Sequence, residues 1–451
     1  MAMAGNSEEQ WSSRSAFLLA SVGFAVGLGN IWRFPYVAGE NGGSAFVLVY
    51  LGCVALIGIP ILIAELLIGR RGEHSPPRAV AAVAAAEGRP TAWRAVGYMG
   101  LLAAYTIEIA YSVVVGWVLW YLYKAISTGF AGFDSTVAEA TFAAVLADPT
   151  GMLFWTLVGL AFTGLIIYAG VQGGIERAVT ILMPVLFALL ALLALYNVFA
   201  GGMKTALLWL FEPHFDRIKP EVFLIAVGQA FFSIGVGMGG MMTFGAYLPR
   251  TISIPGSVLV IVLADTMVAM LAGLVIFPAV FHNGLDPAAG AGLIFQTLPV
   301  AFAQMPGGYG FSVAFFLLLA VAGITSMVGL VECVTSWLED QHGIGRHRSA
   351  LLVVGSIAVL SILSALSYNL IKDYRLFGLN LNELLDYFSN QLLLPLGGLF
   401  IAIFVGWTMS AKSSAEELDI RDPRLFRLWH FLIRYVVPPT VAVIFYFGVA
   451  E

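Results

Sequence analysis

The chain has 451 residues, of which 60% are hydrophobic and only 11% charged, and its mean hydropathy is +0.90. A soluble domain is about half apolar and about a quarter charged, so this composition excludes a soluble enzyme and a disordered scaffold. The net charge of −5 argues against a nucleic-acid partner, which would need a basic surface. We therefore predict an all-α polytopic membrane protein that is embedded in a lipid bilayer.

Long apolar runs recur along the whole chain. A helix needs roughly 20 apolar residues to cross the hydrocarbon core of a bilayer. By this measure we predict eleven spans, numbered 1 to 11, at residues 14–39, 44–70, 92–125, 151–170, 174–199, 221–248, 256–283, 308–338, 349–368, 380–410 and 425–449. Residues 1–13 precede the first span, and the loop 411–424 precedes the last helical segment, 425–451.

Lys and Arg are distributed unevenly between the loops. If the N-terminus is cytoplasmic, fourteen of them lie on the cytoplasmic side, seven lie on the outer side and Arg434 lies within span 11. Cytoplasmic loops carry the excess of positive charge, so we expect the N-terminal segment and the 411–424 loop to be cytoplasmic. An odd number of spans then places the C-terminus outside.

Glycines interrupt spans 1 and 6 at similar depths. The segments are SVGFAVGLGNIWRFP (21–35), with Gly23, Gly27 and Gly29, and GQAFFSIGVGMGGMMTF (228–244), with Gly235, Gly237, Gly239 and Gly240. Each glycine costs roughly 1 kcal/mol of helix stability relative to alanine, so a helix can open at these clusters. Opened backbone in a membrane needs polar partners, which ions and substrate in a cavity supply. The alternative is that the glycines only permit close helix packing.

The spacing of the two interrupted spans indicates an internal repeat. They are five spans apart, as the first members of two five-helix units would be. We therefore predict a transporter core, 14–410, built from two inverted repeats, 14–199 and 221–410. Its binding site should lie at the bilayer midplane.

Four motifs resemble the neurotransmitter:sodium symporter family. They are GLGNIWRFPYVAGENGGSAF in span 1, GQAFFS in span 6, VAGITS in span 8 and LLDYFSNQLLLPLGGL in span 10. The resemblance extends from Trp11 to Lys412, and eleven spans are similar to the short bacterial branch that includes the multi-hydrophobic amino acid transporters. It implies sodium-coupled uptake of amino acids or amines by alternating access, here across a bacterial inner membrane.

The resemblance implies two sodium sites. The first would comprise Ala25, Asn30, Ser233 and Asp265, together with the substrate carboxylate. The second would comprise the carbonyls of Gly23, Val26 and Ala322 and the hydroxyls of Thr325 and Ser326. Oxygen ligands of these kinds suit a hard cation. The two hydroxyls could instead bond back to their own helix.

Asp265 departs from the family, which often has asparagine at this position. A buried carboxylate is costly unless it is paired, so Asp265 should lie against the first sodium ion. We expect transport that does not require chloride, with Asp265 supplying the fixed charge and able to bind a proton on the return step. Tyr50, Gln229 and Ser233 match the chloride-site pattern of the family, so chloride binding stays open.

The substrate site implied by the resemblance contains no acid. Amine transporters of the family carry an aspartate where this chain has Gly27, so we expect an amino acid whose own carboxylate binds Tyr111 and the open N–H groups of span 1. The expected lining is Ala25, Gly27, Gly29, Ile107, Tyr111, Phe232, Gly235, Gly237, Met238, Ser326 and Leu330. The glycines of span 6 should leave room for a large hydrophobic or aromatic side chain. A small neutral amino acid is the alternative.

Residues that match the gates of the family lie on both sides of this site. Arg33 and Asp386 match the outer gate, with Phe232 as the lid. Trp11, Tyr247 and Asp340 match the inner gate; the usual N-terminal arginine is missing, and Arg14 is the candidate replacement.

Gly174 and Pro184 of span 5 match a Gly-X9-Pro motif at which the helix can unwind. Pro184 removes one helical hydrogen bond, and a glycine pair before it weakens the start of the helix. The alternative is a static proline kink.

Other classes of membrane protein fit the sequence less well. A channel or receptor would need a pore-lining ring or a ligand-binding domain, and neither is visible, although a channel-like protein without coupling stays an alternative. The sequence contains no nucleophile–base constellation or metal motif, so we expect no enzymatic activity. It leaves the oligomeric state open.

Overall fold

The computed structural model describes residues 10–215, 218–288, 290 and 292–450, and its regular elements in these ranges are helices. Within this part of the chain, nine helices are long and apolar enough to cross a membrane. They are Ser44–Gly72, Thr91–Ser127, Pro149–Tyr168, Val171–Ala200, Ile254–His282, Gly308–His342, Arg346–Leu366, Leu381–Thr408 and Pro423–Gly448. These correspond to the predicted spans 2 to 5 and 7 to 11.

Spans 1 and 6 are both broken, as predicted. Span 1 consists of Arg14–Ala25 and Gly29–Glu40, which meet at an angle of 49°. Span 6 consists of Pro220–Ile234 and Gly240–Ala246. By length and composition alone the described ranges contain nine such helices, or ten if the bent pair of span 1 is one span; span 6 is not counted because each of its two pieces is short.

Large apolar side chains cover the outside of the helix bundle. Leu165 of span 4, Leu192 of span 5 and Val359 of span 9 are 68%, 59% and 62% exposed. Such a surface would be unfavourable in water, whereas in a bilayer it contacts acyl chains. The chain is thus a polytopic all-helical membrane protein.

Spans 3 and 8 form the centre of the bundle. In their most apolar 18-residue stretches, 89% and 78% of the residues are buried, against 28% in span 5 and 17% in span 11. The breaks of spans 1 and 6 lie against this centre. A Cβ on Gly27 would lie 2.9 Å from the hydroxyl of Tyr111, and one on Gly100 would lie 2.9 Å from the backbone N of Gly239.

Shorter helices connect the spans. They are Pro76–Ala86, Ser135–Ala147, Met203–Phe211, Leu298–Gln304 and Ala411–Leu418. Two of them begin at a capping side chain: Asp134 accepts a hydrogen bond from the N–H of Val137 (2.8 Å), and Ser410 accepts one from the N–H of Ser413 (3.2 Å). The last of these helices lies within the predicted 411–424 loop.

Candidate functional site

The break in span 1 exposes both backbone carbonyl oxygens and backbone N–H groups. Val26 ends the first piece with extended backbone (φ −75°, ψ 97°), and the Oδ1 atom of Asn30 accepts a hydrogen bond from the N–H of Gly27 (3.1 Å). The N–H of Leu28 donates to the hydroxyl of Tyr111 (3.0 Å). A helix end leaves carbonyls without partners and a helix start leaves N–H groups without partners. One break can therefore serve both a cation and an anion.

Asn30, Ser233 and Asp265 form one buried cluster from spans 1, 6 and 7. Asn30 Nδ2 donates to Asp265 Oδ1 (2.7 Å) and to Ser233 Oγ (2.9 Å), and Ser233 Oγ donates to Asp265 Oδ2 (2.8 Å). All three side chains are at most 1% exposed. The fourth predicted ligand of the first sodium site, Ala25, ends the adjoining piece of span 1. The carboxylate has only neutral donors here, so a cation would compensate its charge.

The remaining residues of the chloride-site pattern lie beside this cluster. The hydroxyl of Tyr50 donates to Ser233 Oγ (3.2 Å) and lies 3.5 Å from Asp265 Oδ2. Gln229 Nε2 donates to the carbonyl of Gly29 (2.9 Å). The Asp265 carboxylate thus accepts a hydrogen bond from the hydroxyl of Ser233 and lies beside that of Tyr50.

The predicted second sodium site lies where span 1 meets span 8. Ser326 Oγ donates to the carbonyl of Phe24 (3.2 Å) in span 1. Thr325 Oγ1 donates to the carbonyls of Val321 (3.0 Å) and Ala322 (3.1 Å), so this hydroxyl does bond back to its own helix. A hydroxyl that donates its hydrogen still has its lone pairs, so the oxygens of Thr325 and Ser326 can each coordinate a cation.

Span 5 covers the second site. A Cβ on Gly23 would lie 3.1 Å from Sδ of Met183 and 3.5 Å from Cβ of Thr325, so these three residues are in close contact. Gly174 lies in the π-helical first turn of span 5, and Pro184 lies inside the helix that follows. The span is wound in this structure, and unwinding between Gly174 and Pro184 would move Met183 away from the site.

A small cavity of about 30 Å³ lies beside the break in span 1. Its lining residues are Phe24, Ala25, Gly27, Gly29, Ile107, Tyr111, Phe232, Gly235, Met238, Ser326 and Leu330. Ten of the eleven residues predicted for the substrate site are therefore together, and none of the lining side chains is charged. Sequence reasoning missed Phe24, although its position directly before Ala25 in an apolar helix was a signal.

Gly237 is not among the residues that line this cavity, so its role in the substrate site stays a prediction. Its N–H donates to Glu65 Oε1 (2.5 Å), and a Cβ on it would lie 2.7 Å from the carbonyl oxygen of Leu394. Its φ is +84° and that of Gly235 is +71°, which glycine adopts without strain. The aromatic ring of Phe24 lies against Gly235. In the described conformation these glycines allow backbone conformations with positive φ and close packing, and whether they leave room for a large side chain stays a prediction.

A second cavity of about 520 Å³ lies beyond Phe232, on the side away from the N-terminal segment. Ile107, Tyr111 and Phe232 line both cavities, so Phe232 stands between them. Arg33 and Asp386 both line the larger cavity without forming an ion pair in the described structure. The Arg33 guanidinium lies 4.8 Å from the centre of the Phe232 ring. We name this cavity the vestibule.

The opposite side of the site is closed by the N-terminal segment. Trp11 Nε1 donates to the carbonyl of Phe244 (2.9 Å), and its ring lies 6.1 Å from that of Tyr247. Ser12 donates from its backbone N (2.7 Å) and its Oγ (2.6 Å) to the two carboxylate oxygens of Glu176 in span 5. Two residues predicted for the inner gate, Trp11 and Tyr247, are therefore in contact.

Asp340, the third of these residues, does not pair with Arg14 as expected. It accepts hydrogen bonds from Arg78 Nη1 (2.6 Å) and from the N–H and hydroxyl of Ser75 (3.0 and 2.8 Å), and it lies 3.2 Å from His74 Nδ1. These partners follow span 2, far from residue 340 in sequence. The short helix Pro76–Ala86 brings them against span 8, which the chain order did not indicate.

A further ion pair closes the same side. Glu332 of span 8 has no exposed surface, and its carboxylate accepts hydrogen bonds from both terminal nitrogens of Arg346 (2.5 and 2.9 Å) and from the hydroxyl of Tyr247 (2.9 Å). Arg346 is the first residue of span 9. Sequence reasoning left Glu332 unassigned; an acid inside an apolar span needs a partner, and Arg346 is the next arginine along the chain.

The chain matches one protein family over almost its whole length. Residues 8–141 and 143–451 match the Sodium:neurotransmitter symporter family. Among its relatives, the uncharacterized sodium-dependent transporter YhdH of Bacillus subtilis is 36% identical over 97% of this chain and 96% of its own length. An uncharacterized sodium-dependent transporter of Haemophilus influenzae is 32% identical over 97% of both chains.

A solved structure agrees with these sequence matches. The crystal structure of MhsT in complex with L-phenylalanine superposes on this chain with a TM-score of 0.89 and 39% identity, over 98% of this chain and 99% of that one. The two spans that carry the first two family motifs are both broken. Three of the predicted sodium ligands meet beside these breaks. The chain belongs to the sodium:neurotransmitter symporter family, in its bacterial branch.

Proposed function

We propose that this protein is a sodium-coupled symporter that imports a neutral L-amino acid with a large hydrophobic or aromatic side chain by alternating access. The contact between Asn30, Ser233 and Asp265 beside the open backbone of span 1 carries the proposal. A sodium ion held by these oxygens would share a ligand with the substrate carboxylate. Each would then raise the affinity for the other, which is the coupling that symport requires.

The lining of the small cavity supports an amino-acid substrate. The carboxylate would accept hydrogen bonds from Tyr111 and from the open N–H groups of span 1, where Leu28 already donates to the tyrosine hydroxyl. The side chain would contact Ile107, Met238 and Leu330, which offer no charge. That MhsT has been crystallised with L-phenylalanine supports the aromatic class.

A second sodium ion would bind the backbone oxygens of Gly23, Val26 and Ala322 and the hydroxyls of Thr325 and Ser326. Its place beneath Met183 of span 5 ties it to the conformation of that helix. Loss of this ion and unwinding of span 5 would accompany each other, because unwinding admits water to the site.

We propose that the described conformation faces the outside of a bacterial cytoplasmic membrane. The vestibule is open and the Arg33–Asp386 gate is unpaired, whereas Trp11 and the ion pair of Glu332 close the side that we assign to the cytoplasm. The N-terminus would then be cytoplasmic and the C-terminus external. Residues 14–410 would move as the transporter core, in two repeats.

Transport should not require chloride. The Asp265 carboxylate already supplies a negative charge at the hydroxyls of Ser233 and Tyr50. A chloride ion there would meet electrostatic repulsion from this carboxylate.

A small neutral amino acid is the second candidate substrate. The observation in its favour is the cavity volume of about 30 Å³, which Phe24 limits. A large side chain would require Phe232 to move and join this cavity to the vestibule.

Equilibrium binding of radiolabelled Trp and Leu to detergent-purified protein, in sodium and in potassium, tests these proposals. We expect saturable binding only in sodium, displaced by Tyr and Phe. Ser233→Ala should weaken the sodium dependence, whereas Ser312→Ala should not, because Ser312 is buried but bonds only to the carbonyl of Tyr309 in its own helix.

The other outcomes separate the alternatives. Displacement by Gly and Ala alone would keep the sodium coupling and establish the small substrate. Binding that ignores sodium would refute the assignments of Asn30, Asp265, Thr325 and Ser326.

A further inference from the structure

Glu108 of span 3 has no partner in the interior of the bundle. Its side chain has no exposed surface, and neither carboxylate oxygen has a hydrogen-bond partner among the described residues. It lies one helical turn before Tyr111, in the span whose most apolar stretch is 89% buried. A buried carboxylate without a donor or a counter-charge is strongly unfavourable in its ionised form, so the group is stable here only with a proton.

The other acids of the interior have partners that Glu108 lacks. Asp265 accepts hydrogen bonds from Asn30 and Ser233, and Glu65 accepts one from the N–H of Gly237. The proposed function uses Asp265, and Glu65 holds the backbone of span 6, but Glu108 has neither role.

Charged groups on the neighbouring spans 8 and 10 bind partners other than Glu108. On span 8, Glu332 pairs with Arg346 of span 9, and Asp340 pairs with Arg78 of the helix after span 2. On span 10, Asp386 accepts a hydrogen bond from Asn390. Tyr111, one helical turn further along span 3, is a titratable residue of the substrate-site lining that follows Glu108 on the same helix.

We propose that Glu108 is a proton-binding site and that its proton favours binding of the substrate carboxylate at Tyr111 and Leu28. This rests on the proposed function, which places that carboxylate at the hydroxyl of Tyr111, a residue one helical turn from Glu108. An ionised Glu108 would repel the substrate carboxylate across a poorly hydrated interior, whereas the protonated form does not. Binding of the proton and of the substrate therefore favour each other reciprocally.

The sign of the pH dependence follows. Substrate affinity is highest when Glu108 is protonated and falls as the pH rises and the proton is lost, by up to about tenfold per pH unit for one linked proton. At a pH where Glu108 is ionised in the free protein, substrate binding takes up a proton from solution. Because the side chain is fully enclosed, this exchange needs a conformation that admits water.

The test measures substrate affinity from mildly acidic to mildly alkaline pH in saturating sodium, and proton uptake on substrate addition with an indicator dye in weak buffer. We expect both effects in the unmodified protein and neither in Glu108→Gln. Glu139→Gln, which removes an exposed acid from the helix Ser135–Ala147, should behave like the unmodified protein. Should Glu108→Gln fold poorly, Glu108→Leu provides a second uncharged side chain.

An infrared measurement tests the proton without any substrate. The spectrum of the unmodified protein minus that of Glu108→Gln should contain the carbonyl band of a protonated carboxylic acid. Absence of this band, or pH-dependent proton uptake that persists in both Glu108 variants, overturns the proposal. If the band is present but no amino acid binds in sodium, the proposed function fails and the linkage to substrate fails with it, whereas the proton site stands.

Discussion

Asp265 provides the negative charge in the centre of this protein. It is fully buried, and it accepts hydrogen bonds from Asn30 and Ser233, residues of the two broken spans. These donors orient the carboxylate but leave its charge uncompensated. Under the proposed function, this single carboxylate would both attract the sodium ion and repel an anion.

Asp265→Asn should make transport dependent on chloride. The substitution keeps the shape of the side chain but removes its charge, so a chloride ion near Ser233 and Tyr50 would have to replace that charge. We expect sodium affinity to fall at least about tenfold without chloride and to recover in its presence, in uptake assays that exchange chloride for gluconate. The exposed Asp373→Asn is the matched control. Chloride-independent uptake by the Asp265 variant would contradict the charge argument.

Gly237→Ala should destabilise the protein. Its φ of +84° costs an alanine about 1–2 kcal/mol, and the new Cβ would lie 2.7 Å from the backbone oxygen of Leu394. Thermal unfolding in detergent measures the effect. Gly355→Ala in span 9 meets no atom within 4 Å and should be neutral or stabilising. Equal melting temperatures for Gly237→Ala and the unmodified protein would show that the backbone of span 6 differs from the one described.

At the scale of whole helices, contacts across spans close one side of the site. Tyr247 of span 6, Glu332 of span 8 and Arg346 of span 9 meet in one network, while Arg78 joins the helix after span 2 to Asp340. The contacts of Tyr247 with Glu332 and of Arg78 with Asp340 join elements that are distant in the chain, whereas Glu332 and Arg346 lie on successive spans. Helix movement on this side must therefore separate charges that are partly or fully buried.

Arg346→Ala should destabilise this closed side. It leaves the fully buried Glu332 carboxylate without its counter-charge, and breaking a buried ion pair costs about 3–5 kcal/mol. We expect a lower melting temperature, and Arg346→Ala combined with Glu332→Gln should regain part of the loss. Arg348→Ala, an exposed neighbour, is the control. An unchanged melting temperature for Arg346→Ala would show that the pair contributes no net stability.

Acid should weaken the contact between the helices Pro76–Ala86 and Ala411–Leu418. Burial alone would raise the pKa of Glu87, but hydrogen bonds from Ser413 and Ser410 and the charge of Arg71 outweigh it and lower the pKa. A lowered folded-state pKa means that Glu87 stabilises the protein above the ordinary pKa of glutamate and that this stability is lost as the pH falls through the folded-state value.

The matching measurement is the melting temperature from neutral to acidic pH. Glu87→Gln should lose less stability on acidification than the unmodified protein, and the exposed Glu212→Gln should follow the unmodified protein. Identical acid profiles for the Glu87 variant and the unmodified protein would exclude this linkage.

At the scale of the whole molecule, two cavities of unequal volume lie on one path. The vestibule of about 520 Å³ and the inner cavity of about 30 Å³ share Ile107, Tyr111 and Phe232. Closing the outer gate would bring Arg33 and Asp386 together over the substrate. The vestibule should then become smaller when sodium and substrate bind.

Ala110→Cys should report this closure, because Ala110 lines the vestibule. We expect its labelling by a membrane-impermeant maleimide to slow when sodium and substrate are added together. The native Cys53 and Cys333 are buried, so background labelling should be low. Ala131→Cys, in the exposed loop after span 3, should label at an unchanged rate. Equal rates at Ala110 with and without ligands would contradict closure of the vestibule.

The sequence predicted the features that local chemistry determines. Long apolar runs defined the spans, and glycine clusters located the breaks of spans 1 and 6, because both signals are contained within one segment. The partner of Asp340 was not predictable, since Arg78 reaches it only through the packing of a short helix. The packing of Gly237 was not predictable for a related reason: a glycine pattern does not distinguish an open cavity from close backbone contact.

The double hydrogen bond between Ser12 and Glu176 has a consequence for how this side opens. It ties the N-terminal segment to span 5, so moving either element away from the other must break both bonds. We therefore expect the movements of the two elements to be coupled, so that opening of this side involves both of them.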